Sequence, residues 1–123
     1  MFTDKQEKLR ILIIEDEPII ALDLQDSLVE AGFDVVGIAG RLAVALTLID
    51  ETAFEVAIVD ANLAGESASP AAAVLVARHI PFVVLSGYSF EQQQEAFAGA
   101  IFIQKPCRTN LLIETLNSIV PSL

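Results

Sequence analysis

A doubly wound α/β domain, one parallel sheet with helices on both faces, is predicted by three features of this 123-residue chain. Short apolar runs such as Ile11–Ile14, Val56–Val59 and Phe82–Leu85 carry no alternation, which is the pattern of strands buried on both faces. Segments of helical periodicity separate those runs, so strands and helices alternate along the chain. Each run also stops abruptly on a polar residue, and Asp60 is the sharpest case.

The elements follow in order. Met1–Lys8 is a polar lead-in. Leu9–Ile14 is the first strand and ends in Glu15-Asp16-Glu17. Pro18 suits the first turn of a helix, and Ile19, Ile20, Leu22, Leu24, Leu28 and Val29 recur at helical spacing before Gly32 stops it. Phe33–Ala39 is the second strand, with Gly37 near its end. Arg41–Glu51 is a helix with Leu42, Ala45, Leu46 and Ile49 on one face. Glu55–Asp60 is the third strand, followed by a loop over Ala61–Ser69. Ser69 as N-cap and Pro70 as first helical residue open a helix that runs to about His79. Ile80–Ser86 is the fourth strand, Phe90–Ala98 a short helix and Ala100–Ile103 the fifth strand. Arg108–Ile119 closes the chain as a helix with Leu111, Leu112, Leu116 and Ile119 inward. The five strands belong to one domain, joined by right-handed crossovers.

Composition narrows the function. A hydrophobic fraction of 54% argues for a filled core rather than disorder, while no apolar run approaches the ~20 residues that span a bilayer. Nothing at the N-terminus looks like an export signal. One cysteine, Cys107, excludes an internal disulfide and fits a reducing cytoplasm. The formal charge of −10 repels a phosphate backbone and favours cationic partners, divalent metal included.

In a parallel sheet the carboxyl ends of the strands lie on one edge, where ligands bind at the topological switch point. Four strands here deliver Glu15 and Asp16, Asp60, Ser86 and Lys105 to that edge. Any one of them is explained by polar residues resuming where a strand ends. The set is harder to dismiss, because its members complement one another. Three carboxylates in one crevice raise each other's pKa unless a cation intervenes, and Mg²⁺ is the hard, oxygen-preferring ion that also accepts phosphate oxygens. Lys105 adds a point charge and Ser86 a hydroxyl donor, which completes what a phosphoryl group needs. Asp60 then fits as the nucleophile of an aspartyl phosphate.

The series Ile14–Glu17 (IEDE), Val59–Leu63 (VDANL), Leu85–Gly87 (LSG) and Gln104–Pro106 (QKP) resembles the receiver domain of two-component response regulators over essentially the whole chain. The resemblance implies a flavodoxin-like (CheY-like) sheet of order 2-1-3-4-5. It implies that Asp60 accepts a phosphoryl group from a histidine kinase or a histidine phosphotransfer protein, so the domain catalyses its own phosphorylation without being a conventional enzyme. Asp16 and Asp60 would bind Mg²⁺ directly, with the backbone carbonyl of Asn62 as a third ligand and Glu15 assisting through water. Ser86 stands at the switch hydroxyl, Lys105 at the phosphate-contacting lysine and Phe102 at the switch aromatic. A downstream protein would read the Phe90–Ala98 helix, the fifth strand and the closing helix, with the domain monomeric or a phosphorylation-dependent dimer.

The chain departs from the family pattern in ways that matter. Glu15 replaces the commoner Asp of the acidic pair, Ala64 stands where many members have Pro, and Ala68 where many have Gly. The intervals Asp60–Ser86 and Ser86–Lys105 are short, so the third and fourth helical regions should be abbreviated. With NLAGE and PFVVLSGY, this is similar to the single-domain subclass named for its FATGUY motif, here Phe82–Tyr88 in altered form. Tyr88 is placed to overhang the phosphate and slow its hydrolysis by restricting water.

Other residues read more simply. His79 suits the negative end of a helix, Cys107 is a small packing residue, Arg41 and Arg108 are surface groups, Gln92–Gln94 is a solvated face, and Phe54, Phe82 and Phe97 are core. The whole chain then reads as a single-domain cytoplasmic regulator, with a phosphate sink or relay intermediate as variants of the same chemistry. A phosphorylation-independent binding module is the alternative from another class, but the retained Asp16, Asp60, Ser86 and Lys105 argue against it. An aspartyl phosphatase of the haloacid dehalogenase type wants a second Asp at position 62, where this chain has Asn.

Overall fold

Strands rich in Val, Ile and Leu bury both faces only when helices cover both sides of the sheet, and the computed structural model has that layout. It describes residues 8–87, 100–105 and 108–119. Five parallel strands form the main sheet: β1 (Arg10–Ile14), β2 (Asp34–Ala39), β3 (Val56–Asp60), β6 (Phe82–Ser86) and β7 (Ile101–Gln104). Their spatial order is β2-β1-β3-β6-β7, the expected 2-1-3-4-5. Helices α1 (Pro18–Glu30), α2 (Leu42–Glu51), α3 (Ser69–Ala77) and α4 (Thr109–Ile119) complete the described elements. The expected Phe90–Ala98 helix lies outside the described residues.

Alternate residues of each strand point to opposite faces, and this divides the core in two. Leu12, Ile14, Ala57, Val59 and Val84 pack under α2 and α3 with Ala45, Ile49, Ala71 and Leu75. Ile11, Ile13, Ile58, Val83 and Leu85 pack under α1 and α4 with Leu24, Leu28, Leu112 and Leu116. At the bottom of the sheet Arg10 forms an ion pair and hydrogen bonds with Glu55, tying the start of β1 to the residue before β3. The register of β1 with β2 slips between Ile11 and Leu12. There Gly37 passes so close to Leu12 and Leu48 that a Cβ would lie 3.1 Å from the Leu12 Cδ1.

The structure settles which helix faces turn inward and corrects several expectations. In α1 the buried stripe is Ala21, Leu24 and Leu28, whereas Ile19 (82% exposed), Ile20, Leu22 and Val29 face outward. Apolar residues fill nearly every turn of this helix, so periodicity alone does not choose the inward face. In α4, Leu111 is likewise exposed, while Leu112 and Leu116 are buried.

A further correction concerns the stretch after β3, which is not a plain loop. Asn62–Leu63 (β4) and Glu66–Ser67 (β5) form an antiparallel hairpin. Its two-residue turn is Ala64 (φ 54) and Gly65 (φ 88), the left-handed pair of a type I′ turn. A proline at position 64, with φ fixed near −65°, could not occupy this conformation. Helix α3 then starts at Ser69, with Ala68 rather than Ser69 at the N-cap position.

Two helices end in the same hydrogen-bond motif. After α1 the N–H groups of Gly32 and Phe33 donate to the Val29 and Leu28 carbonyls, and after α3 those of His79 and Ile80 donate to Val76 and Leu75. Both are Schellman ends, which place the first residue beyond the cap in the left-handed region. Gly32 (φ 99) meets that demand easily, but His79 (φ 60) carries a Cβ into it.

Candidate functional site

The two strands flanking the switch in sheet direction, β1 and β3, end on the acidic residues. Glu15 extends β1 by donating its N–H to the Ala39 carbonyl at 2.8 Å, which fixes the backbone from which its side chain leaves. Asp60 is the last residue of β3 and pairs with Leu85 of β6. Ser86 therefore lies one residue beyond the level of Asp60, and its carbonyl accepts the Lys105 N–H at 2.8 Å. Sheet register alone thus gathers Glu15, Asp60, Ser86 and Lys105 at one edge.

The side chains converge as well. Lys105 Nζ lies 3.1 Å from Asp60 Oδ2 and 3.9 Å from Glu15 Oε1. Glu15, Asp16 and Asp60 each bring a carboxylate oxygen within 4.8 Å of the others. Glu15, Asp60 and Ser86 are buried, the three polar residues to be so among the described ones. Backbone N–H groups orient each carboxylate: Glu17 donates to Glu15 Oε2 at 3.1 Å, Asn62 to Asp60 Oδ1 at 3.3 Å, and Ala64 to Asp16 Oδ2 at 3.0 Å.

Electrostatics at this edge are frustrated. Burial pushes the Glu15 carboxyl up to about 7; the Glu17 N–H opposes this, while the Asp60 carboxylate adds to it. Its Oε1 is buried without a hydrogen-bond partner. Burial also works against ionised Asp16, yet the Asp60 carboxyl and the Ala64 N–H outweigh it and hold Asp16 below the usual range. Partial burial disfavours the Lys105 ammonium, but Asp60 beside it raises its pKa above that of an ordinary lysine. One ammonium facing three clustered carboxylates leaves an excess of negative charge, and an orphaned oxygen in that cluster is the donor set of a hard divalent cation.

Phe102 sits on β7 opposite Val84 and is half-buried against the core under α2 and α3. Tyr88 lies outside the described residues, so the FATGUY-type stretch is described only over Phe82–Gly87. Sequence reasoning missed Ala64 and Gly65 as residues of the site. Their signal was the Gly after Ala in a hairpin position, too weak without strand periodicity on either side.

The profile of the response regulator receiver domain matches residues 11–117. The chain belongs to that family. Among curated relatives, the transcriptional regulatory protein PdtaR of Mycobacterium tuberculosis is 32% identical over 116 residues, covering 90% of this chain and 56% of PdtaR. The chain thus spans about half the length of that relative. Among solved structures, SdrG from Sphingomonas melonis is 35% identical with a TM-score of 0.78, covering 91% of this receiver and 96% of SdrG. TrrA from Thermotoga maritima, solved in complex with Mg²⁺ and BeF, shares the fold at a TM-score of 0.80 and 23% identity, over 91% of this chain and 99% of TrrA. Receiver domains use Mg²⁺ in an acidic pocket and interact with histidine kinases or phosphotransfer proteins and with downstream effectors. No helix among the described residues is long and apolar enough to cross a membrane.

Proposed function

We propose that this receiver is a cytoplasmic phosphoacceptor switch in two-component or phosphorelay signalling, with Asp60 as the acceptor. The observation that carries the reading is the Lys105 ammonium at 3.1 Å from a buried Asp60 that shares its crevice with two further carboxylates. An Asp60 carboxylate oxygen attacks the phosphorus of a phosphohistidine. The new O–P bond forms as the P–N bond breaks, and the electron pair leaves with the imidazole of a histidine kinase or phosphotransfer protein. Asp16, Asp60 and the Asn62 carbonyl would hold Mg²⁺, with Glu15 assisting through water. By the alternation of an antiparallel ladder, Asn62 and Ser67 form a non-hydrogen-bonded pair, so the ladder does not consume that carbonyl. Bound Mg²⁺ supplies charge neutralisation for the phosphoryl oxygens.

Phosphorylation removes charge from Asp60 and places it on phosphoryl oxygens, so Lys105 follows the charge and the Ser86 hydroxyl becomes a donor to it. Lys105 and Ser86 lie on or beside β7 and β6, and Phe102 lies three residues before Lys105. A shift of that edge is therefore felt along β7 and α4, where Ile101 and Leu111 are exposed for a downstream protein. The Phe90–Ala98 part of that face and the Tyr88 overhang lie outside the described residues.

The test is phosphotransfer from a labelled phosphohistidine donor, with NMR of the amides around Asp60, Ser86 and Lys105 upon addition of beryllofluoride and Mg²⁺. Label transfer that Asp60→Asn abolishes, and Mg²⁺-dependent amide shifts, are expected. A binding module that has lost the chemistry would show neither.

A further inference from the structure

We propose that the β4–β5 hairpin is a positioning clasp, in which Asn62, Ala64 and Gly65 orient Asp16 and Asp60 for a divalent cation. The inference rests on the phosphoacceptor reading above, which uses only the Asn62 carbonyl of this hairpin, and it assigns a role to the hairpin's N–H groups and its turn. Two N–H groups of one hairpin reach two different carboxylates of the site, Asn62 to Asp60 Oδ1 at 3.3 Å and Ala64 to Asp16 Oδ2 at 3.0 Å. A third bond, from the Gly65 N–H to Asn62 Oδ1 at 2.8 Å, ties the turn back to its own first strand. Asn62 thus acts twice: its N–H orients Asp60, and its side chain fixes the turn whose N–H orients Asp16.

The clasp is anchored from below. Leu63 is buried in the core under α2 and α3, and the Ala68 N–H closes the hairpin base on the Ala61 carbonyl at 3.0 Å. The turn conformation decides where the Ala64 N–H points, since only a left-handed residue at 64 followed by another at 65 gives the type I′ geometry. The Cβ of Ala64 opposes that conformation, and it is in this conformation that the Ala64 N–H reaches Asp16 Oδ2 at 3.0 Å. Groups that orient ligands from behind change metal affinity by about 10- to 100-fold when removed.

The experiment is calorimetric titration of Mg²⁺ into the full chain, wild type against Ala64→Pro, Ala64→Gly and Asn62→Ala, with denaturant unfolding of each in EDTA. Ala64→Pro removes both the N–H and the left-handed conformation and should weaken Mg²⁺ binding about 10-fold or more. Ala64→Gly keeps the N–H and should bind within twofold of wild type. Asn62→Ala should weaken binding several-fold, and the residue-64 amide of the metal-free protein should move toward a solvent-bonded shift. A hairpin that only stabilised the fold would lower unfolding midpoints and leave the Mg²⁺ affinity of the folded protein unchanged. Wild-type affinity in Ala64→Pro overturns the clasp while leaving the receiver reading intact. Should Ala64→Pro fail to fold, an unchanged affinity in Asn62→Ala overturns it instead. No saturable Mg²⁺ binding in the wild type overturns the phosphoacceptor reading, and the clasp with it.

Discussion

Glu15 is the residue with the most to lose in this fold. The longer side chain, where Asp is commoner, carries Oε1 into a buried position within 3.9 Å of Lys105 but without a hydrogen bond. Its carboxyl pKa is raised from 4.5 to about 7, with burial as the leading cause. An acid with a raised native pKa binds more protons folded than unfolded. Its favourable contribution is present at low pH and is lost as pH rises through 4.5 to 7. In EDTA at pH 8, Glu15→Gln should therefore stabilise the fold by on the order of 2–3 kcal/mol, and the gain should disappear below pH 4.5. With Mg²⁺ the sign reverses in function, because the substitution removes an anion from the crevice and affinity falls. Denaturant unfolding across pH in EDTA, beside Mg²⁺ titration, measures both. Equal stability of the two proteins at pH 8 would mean that Glu15 is not held as an unsatisfied carboxylate.

At the scale of elements, the two Schellman ends form a natural comparison. They share their hydrogen bonds and differ in the residue that bears the left-handed φ, Gly32 after α1 and His79 after α3. His79→Gly should raise stability by about 0.5–1 kcal/mol, the left-handed penalty less the extra entropy of an unfolded glycine. Gly32→Ala should lower it by about 1 kcal/mol. Urea midpoints at constant m-value report both changes, and a His79→Gly protein no more stable than wild type would show that the imidazole compensates elsewhere. The same elements show what was legible in the sequence. Strands with both faces buried leave unbroken apolar runs, so β1, β3 and β6 were readable to within two residues, and their polar ends pointed to Glu15, Asp16, Asp60 and Ser86. Helix α1 was readable as a helix, but Ile19, Leu22 and Val29 are as apolar as Leu24 and Leu28, so its inward face was not. The hairpin was invisible because two-residue strands have no periodicity, and because Ala64 is not a residue that announces a left-handed turn.

At the scale of the whole molecule, a chain of seventeen acidic and seven basic residues places three carboxylates at one sheet edge, so two electrostatic effects act on its stability. The net charge of −10 repels itself over the whole surface, and any salt screens that repulsion over a Debye length of about 10 Å at 0.1 M. The acidic crevice acts differently, because a cation held there binds the folded chain alone and stabilises it by mass action. Adding NaCl in EDTA should therefore raise the thermal midpoint gradually, in wild type and in Asp16→Asn alike. Replacing NaCl by MgCl₂ at equal ionic strength should add a further, saturable increment in the wild type. At 100 times the dissociation constant that increment is about 2.7 kcal/mol, or roughly 10 °C for a domain of this size. Asp16→Asn, which takes one carboxylate from the crevice and weakens the acceptor for the Ala64 N–H, should lose most of the increment and keep the gradual response. Calcium at the same concentration should give a smaller increment if the site enforces the short octahedral geometry of Mg²⁺. If Asp16→Asn and wild type responded to MgCl₂ identically, Mg²⁺ would be acting on this fold only as salt, and the acidic crevice would be no more than a local concentration of the charge that covers the rest of the surface.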